Sequence, residues 1–394
     1  MLNRFCVRIM RFCGVAVALW SVSAAAGIAI VSPLEDQVVP LLTEAQRAYV
    51  KTPRETREPW FADNKAKRSE LRKIGSKPNP VRVAWTGADG QSVTVTVFKL
   101  PKRESVYSFS GKTNELAIFN LEIARDYAVE VAAGQDKATR RFKTEDLAPR
   151  FMDVPNIGNM RDLGGRVGLD GRRVKQGRIY RSAGWNSNAV WPKKKIKDKN
   201  GKKKKVKVVD ESRPPVAGTN RLTSAGRDYA LNVLGIKSDI DLRKDSECWG
   251  MTGSPIGPEV TWFHYSYLGY SPTASAAGKK AFANVFRVLL DEKNYPLVFH
   301  CIGGADRTGT VAFILNALLG CAEEELYLDW EVTGFKGGVV DSRHRKWFLG
   351  LVRKIGQFEG ANWSEKAASY VRSCGFTDAD IAKFRSMMLE ERRK

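Results

Sequence analysis

The sequence predicts an α/β domain, a central sheet flanked by helices, preceded by a small all-β sandwich. Two observations carry this. In "YPLVFHCIGGADRTGTVAFILNALLG" (295–320), a short apolar run of strand length ends at His300. Val311, Ile314, Leu315 and Leu318 then recur at helical spacing until Gly320 stops the helix. In residues 78–146, by contrast, "VRVAWTG", "QSVTVTVFKL", "SVYSFSG", "ELAIFNL", "DYAVEVAAG" and "ATRRFKTED" are β-type runs punctuated by Gly, Asn and Asp turns. A chain of 394 residues is long enough for two ordinary domains.

The chain opens on neither of them. Arg4, Arg8 and Arg11 precede the apolar run "FCGVAVALWSVSAAAGIAIV", and Ala24, Ala25 and Ala26 offer a small-residue cleavage site, so residues 1–26 read as a secretory signal peptide. The expected location is periplasmic or extracellular. The rival is an uncleaved membrane anchor, because the run from Cys13 to Val31 is just long enough to span a bilayer. Cleavage removes Cys6 and Cys13 and leaves Cys248, Cys301, Cys321 and Cys374, too few and too scattered for a disulfide framework or a zinc site. No metal and no cofactor are expected.

Residues 27–77 read as a connector, with one helix in "PLLTEAQRAYVK" and charges that solvation alone explains. Residues 78–147 form the sandwich, and 148–394 the α/β domain. Within the latter, "WPKKKIKDKNGKKKKVKVVDESRPP" (191–215) concentrates lysine around Asn200-Gly201, the pattern of a basic hairpin. It reads as a mobile solvated loop, a lid, or an arm for an acidic partner. The absence of interleaved aromatics argues against nucleic acid. The formal charge of +22 predicts steering of anionic substrates at low salt.

Chemistry concentrates at Cys301. Between a strand and a helix, the backbone N–H groups of Ile302, Gly303, Gly304, Ala305, Asp306 and Arg307 can curl round one point and add to the positive helix end, a cradle for a phosphate dianion. Gly303 and Gly304 allow positive φ. The planar fork of Arg307 suits two phosphate oxygens. The same donors lower the pKa of Cys301 and make it a nucleophile at neutral pH.

His300, Cys301, Arg307 and Thr308, with the intervening glycines and "DRTG", resemble the loop of the cysteine-dependent tyrosine phosphatase superfamily. "NIGNMRDLGG" (156–165), "GRIYRSAGWN" (177–186), "LGIKSDIDLRKDSE" (234–247) and "YLDWEVTG" (327–334) are similar, in that order, to landmarks of its bacterial tyrosine and dual-specificity members. Trp85, Leu121 and Tyr127 are placed much as in fibronectin type III modules, so the sandwich resembles one. The resemblance implies hydrolysis of phosphate monoesters through a phosphocysteine, on a phosphorylated protein or another anionic ester. Cys301 is then the nucleophile, Arg307 and the loop bind the phosphoryl group together with His300, and Thr308 assists the sulfur as leaving group. Between Trp249 and Leu290 only Glu259 is acidic, so the general acid is sought in Asp306, preferred, or Asp241, whose other reading is a brace paired with Arg243. A phosphoinositide or inositol-phosphate substrate is the alternative, weakened because inositide-hydrolysing relatives tend to have a loop lysine where this chain has Ala305. A non-catalytic anion-binding protein is a third reading, and it has no need of an activated thiol.

Overall fold

The structure, a computed structural model, describes residues 27–58, 65–197, 200–207, 215–336 and 342–391. The candidate signal peptide, residues 1–26, lies outside them. In chain order the first half comprises β1 (Ala29–Ser32), β2 (Gln37–Val39), α1 (Glu44–Lys51), α2 (Arg54–Arg57), α3 (Lys65–Ile74), β3 (Val81–Thr86), β4 (Val93–Lys99), β5 (Glu104–Gly111), β6 (Glu115–Ile118), β7 (Asp126–Ala133) and β8 (Asp136–Thr144). A three-stranded sheet in the order β1-β3-β6 faces a five-stranded sheet in the order β2-β8-β7-β4-β5. Alternate residues of β3 (Val81, Val83, Trp85), β4 (Val93, Val95, Val97) and β7 (Tyr127, Val129, Val131) point into one shared core. Leu121 lies in that core too, and the phenol oxygen of Tyr127 accepts the Glu122 N–H at 2.9 Å.

Two corrections concern the segment read as a connector. Ala29–Ser32 pairs antiparallel with β3, and Gln37–Val39 runs parallel to β8, so residues 29–39 complete both sheets. The helices that follow, α1 to α3, serve the other domain: Leu42, Tyr49 and Leu71 are buried in its core, and the Tyr49 ring meets Phe335 edge-on at 5.0 Å. Helix α1 is fixed by a capping box in which the Thr43 hydroxyl accepts the Gln46 N–H and the Gln46 side chain accepts the Thr43 N–H.

The second half comprises β9 (Arg150–Phe151), β10 (Arg161–Asp162), β11 (Ile179–Ser182), β12 (Lys193–Lys197), β13 (Lys203–Lys207), α4 (Ser224–Asp228), β14 (Ser238–Asp241), β15 (Thr261–His264), α5 (Ala276–Leu289), β16 (Leu297–His300), α6 (Arg307–Leu318), α7 (Glu323–Glu331), α8 (Ser342–Gly356), α9 (Trp363–Ser373) and α10 (Asp378–Met388). Its six-stranded sheet runs β15-β14-β16-β11-β10-β9, parallel from β15 to β11 and antiparallel beyond. Leu297 and Phe299 of β16 face the large core with α5 and α6, whereas Val298 faces the smaller core with Trp185 and Ala230. The sheet is thus covered on both sides, as parallel strands require. Helix α6 is buried at every residue from Thr308 to Leu318. It ends where Gly320, at φ 83°, adopts the left-handed conformation that glycine takes without a steric penalty.

β12 and β13 stand apart as a two-stranded hairpin, Lys193 opposite Lys207 and Lys197 opposite Lys203. The basic run therefore takes the hairpin form the sequence suggests.

Candidate active site

β16 lies between β14 and β11, and its carboxyl end delivers Cys301 to the middle of the parallel edge, where such sheets place ligands. The carbonyls of the next three residues are each held from outside. Ile302 O accepts Gly184 N–H at 3.1 Å, Gly303 O accepts Asn159 Nδ2–H at 2.9 Å, and Gly304 O accepts Arg181 Nη2–H at 2.5 Å. In a trans peptide the N–H points opposite to the carbonyl. The N–H groups of Gly303, Gly304 and Ala305 are thereby turned inward, joining those at the start of α6. Gly304, at φ 69°, is the loop glycine that needs its freedom, and a Cβ there would also lie 2.5 Å from Ser182 O. Gly303, expected to share that conformation, does not adopt it.

The Cys301 thiol is buried. Burial opposes its ionisation, but the Arg307 guanidinium and the neighbouring Thr308 hydroxyl and N–H outweigh that, and its pKa lies below the ordinary thiol value. The other described thiols go the opposite way: burial pushes Cys321 up to about 12 and Cys374 up to about 11, and burial with the neighbouring Asp241 carboxylate raises Cys248 further. Arg307 is positioned by Glu247, whose Oε2 accepts from Nη1 at 2.6 Å, and by Leu242 O at 3.3 Å. Burial works against the Glu247 charge, but Arg307 and the Lys244 N–H hold its carboxyl below the usual range.

Asp306 opens α6 without using its side chain as a cap. Its Oδ1 instead accepts the Tyr270 phenol at 2.6 Å, and that phenol oxygen accepts Trp330 Nε1–H at 3.3 Å. Tyr270 has φ 63° and ψ −143°, a conformation that costs a β-carbon residue energy. It is held there by its own N–H, which donates to Thr310 Oγ1 at 2.7 Å, while that hydroxyl donates to Asp306 O at 2.8 Å.

Two expected site residues sit behind the loop. His300, expected to bind substrate, is fully buried: its Nε2 lies 3.0 Å from Asp239 Oδ1 and its Nδ1 3.2 Å from Cys301 O. Burial lowers its pKa, yet the Asp241 and Asp239 carboxylates raise it above the usual imidazole value overall. Asp241, the second candidate acid, is also fully buried. Its oxygens accept Arg243 Nε–H at 2.9 and 3.1 Å and Nη2–H at 2.6 Å, and Oδ2 lies 3.4 Å from Cys248 Sγ. Despite burial, His300 and Arg243 hold it far below the carboxylate range. The bracing role is what the geometry displays.

A further set of residues was not singled out individually by sequence. Asp329 on α7 is buried among Arg161, Arg166 and Arg181. Arg181 runs on to Gly304 O, and Arg161 donates to Asn159, which holds Gly303 O. All lie in the quoted landmark segments or beside them, as does Glu247, which ends "DLRKDSE"; Tyr270 alone of the site residues stands in a segment with no pattern of its own.

A family model described as "Tyrosine phosphatase family" matches residues 152–200 and 216–347. The unmatched gap between its two blocks falls in the lysine-rich segment. A Cupriavidus necator protein provisionally named a tyrosine-protein phosphatase is 28% identical over 200 residues, 44% of this chain and 59% of that one. A tyrosine-protein phosphatase of Nostoc commune is 28% identical over 158 residues, 33% of this chain and 51% of that one. The chain thus spans between half and three-fifths of the length of these curated relatives. Among solved structures, the core catalytic domain of the PP-IP phosphatase SIW14 from S. cerevisiae, in complex with citrate, aligns over 45% of this chain and 85% of that one, with 13% identity and a TM-score of 0.26.

Proposed function

From the premise that the segment spanning residues 152–347 belongs to the tyrosine phosphatase family, we propose that this protein hydrolyses phosphate monoesters, phosphotyrosine foremost, through a phosphocysteine on Cys301. The observation that carries the reading is the loop itself. One buried thiol, its pKa lowered, stands over a ring of main-chain donors whose carbonyls are tied away, with Arg307 beside it.

In the first step the Cys301 thiolate attacks phosphorus in line. The P–S bond forms as the bond to the ester oxygen breaks, and the loop N–H groups stabilise the equatorial oxygens. With Nη1 of Arg307 engaged by Glu247, its Nε–Nη2 edge is the fork left for two of those oxygens. Asp306 protonates the leaving oxygen. Tyr270 fixes its Oδ1, leaving Oδ2 to carry the proton, whereas Asp241 is committed to Arg243. In the second step water attacks phosphorus and the sulfur leaves, assisted by the Thr308 hydroxyl, with Asp306 now accepting the proton.

The chain is read as exported. β1 begins at Ala29, so cleavage after Ala26 leaves every strand of the sandwich in place. The shared core of Trp85, Leu121 and Tyr127 supports a fibronectin type III-like reading of that sandwich. A release assay comparing phosphotyrosyl and phosphoseryl peptides and a phosphoinositide tests the substrate class. Turnover confined to the inositide would overturn the reading. A mature N-terminus near Gly27, found by mass spectrometry of extracytoplasmic protein, tests export, and full-length protein in membranes contradicts it.

A further inference from the structure

The lysine hairpin is the feature that hydrolysis leaves unused. Antiparallel register sets Lys193 opposite Lys207, Lys195 opposite Lys205 and Lys197 opposite Lys203. Alternate positions of an antiparallel ladder repeat the same kind of pairing, so these six register positions form three lysine–lysine pairs. Pairs stand about 5 Å apart across the strands and rows about 7 Å apart along them. Opposed like charges destabilise a ladder, and among the described residues this sheet has two strands. The arrangement costs the hairpin a modest amount of stability, which a surface of closely spaced negative charges would return.

The root of the hairpin says which surface. Val190 and Val216 exchange both backbone hydrogen bonds, at 2.9 and 3.0 Å, yet are 62% and 70% exposed. Trp249, 44% exposed, packs edge-on against buried Trp191 with ring centroids 5.5 Å apart. A nucleic-acid backbone or a polyphosphate chain would use the lysines and leave these groups in water. A bilayer uses both: headgroup charge for the lysines, and the boundary region for the valines and the tryptophan. The root is also wired to the site. Ala189 N–H donates to Glu247 O at 3.0 Å and Trp191 Nε1–H to Ser246 O, and Glu247 is the partner of Arg307.

We propose that the hairpin and its apolar root dock this protein on an anionic lipid surface, which brings the phosphate loop alongside the bilayer. The test is sedimentation of the full chain with vesicles of phosphatidylcholine alone and of phosphatidylcholine mixed with phosphatidylglycerol. All variants share one N-terminus, so its apolar run contributes equally throughout. The expected result is an excess of binding to the anionic vesicles that falls with salt. Each lysine lost should cost roughly fivefold, so Lys195→Gln with Lys205→Gln should lower the partition coefficient about 25-fold while a small aryl phosphate is hydrolysed as before. Val190→Ser with Val216→Ser should remove the part that persists at high salt. Cys301→Ser should bind as the wild type does, which separates this surface from the chemistry. Equal binding to both vesicles overturns the proposal. So does equally tight retention by duplex DNA or polyphosphate that ignores Val190→Ser with Val216→Ser.

Discussion

The phosphate loop and the lysine hairpin both gather positive charge, and they do so in opposite ways. Around the loop every guanidinium has a stated answer: Arg307 meets Glu247, Arg243 meets Asp241, and Arg161, Arg166 and Arg181 converge on Asp329. In the hairpin, lysine is registered opposite lysine. Buried charge persists only where it is paired and hydrogen-bonded, whereas exposed charge can repel its neighbours at modest cost because water screens it. The first arrangement is rigid and aims donors at one point. The second offers a surface that waits for its counter-charge.

Breaking the loop should have the largest effect. Cys301→Ser removes the nucleophile and is expected to cost on the order of 10⁴ to 10⁶ in turnover of an aryl phosphate, while phosphate still binds. Arg307→Lys keeps the charge but loses the fork, with an expected loss of about 10³ or more in kcat/KM. Asp306→Asn should cost about 10² to 10⁴ on a phosphotyrosyl peptide and much less on an activated aryl phosphate. If Asp241→Asn instead shows that leaving-group dependence, the acid has been misassigned.

The paired charges behind the loop make a prediction about stability. Asp329→Asn removes the carboxylate shared by three buried guanidiniums, of which, among the described residues, only Arg166 keeps another carboxylate, Glu325, and is expected to destabilise by about 3–5 kcal/mol in chemical denaturation. The thiols test the same contrast by pH. Because the Cys301 pKa is lowered and those of Cys248, Cys321 and Cys374 are raised, the thiolate at Cys301 persists below the ordinary value of about 8.5. Alkylation at neutral pH, mapped by peptide mass spectrometry, should therefore label Cys301 first and be slowed by phosphate. The acid limb of kcat/KM should fall only as pH drops through the lowered value. The smallest effect belongs to the hairpin: relieving one opposed pair with Lys205→Glu should raise amide-exchange protection in β12 and β13 by less than about 1 kcal/mol, and added salt should narrow the gain.

What could be read from sequence divides along the same line. Local patterns were legible: the six alternating runs of the sandwich, the strand-loop-helix around Cys301 and the lysine hairpin all came from neighbours in the chain. β1 and β2 were not, because "AIVS" and "QVV" are too short to alternate and their partners lie far along the chain. Glu247, Tyr270 and Asp329 owe their roles to contacts 60, 36 and 148 residues away, which periodicity does not carry. His300 is instructive, since the two-residue repeat of β16 already sets it with Val298, opposite Leu297 and Phe299. Followed through, that parity turns the imidazole towards Asp239 and Asp241 of the neighbouring strand and away from the phosphate site.

The most direct test of the central claim is to quench the enzyme during turnover of an aryl phosphate and locate the phosphoryl group by mass spectrometry under conditions that preserve thiophosphates. A phosphate on the peptide containing Cys301, formed in a burst and released by water, is what the geometry predicts. Turnover that proceeds undiminished in Cys301→Ser, or a phosphoryl group trapped on any other residue, would contradict it.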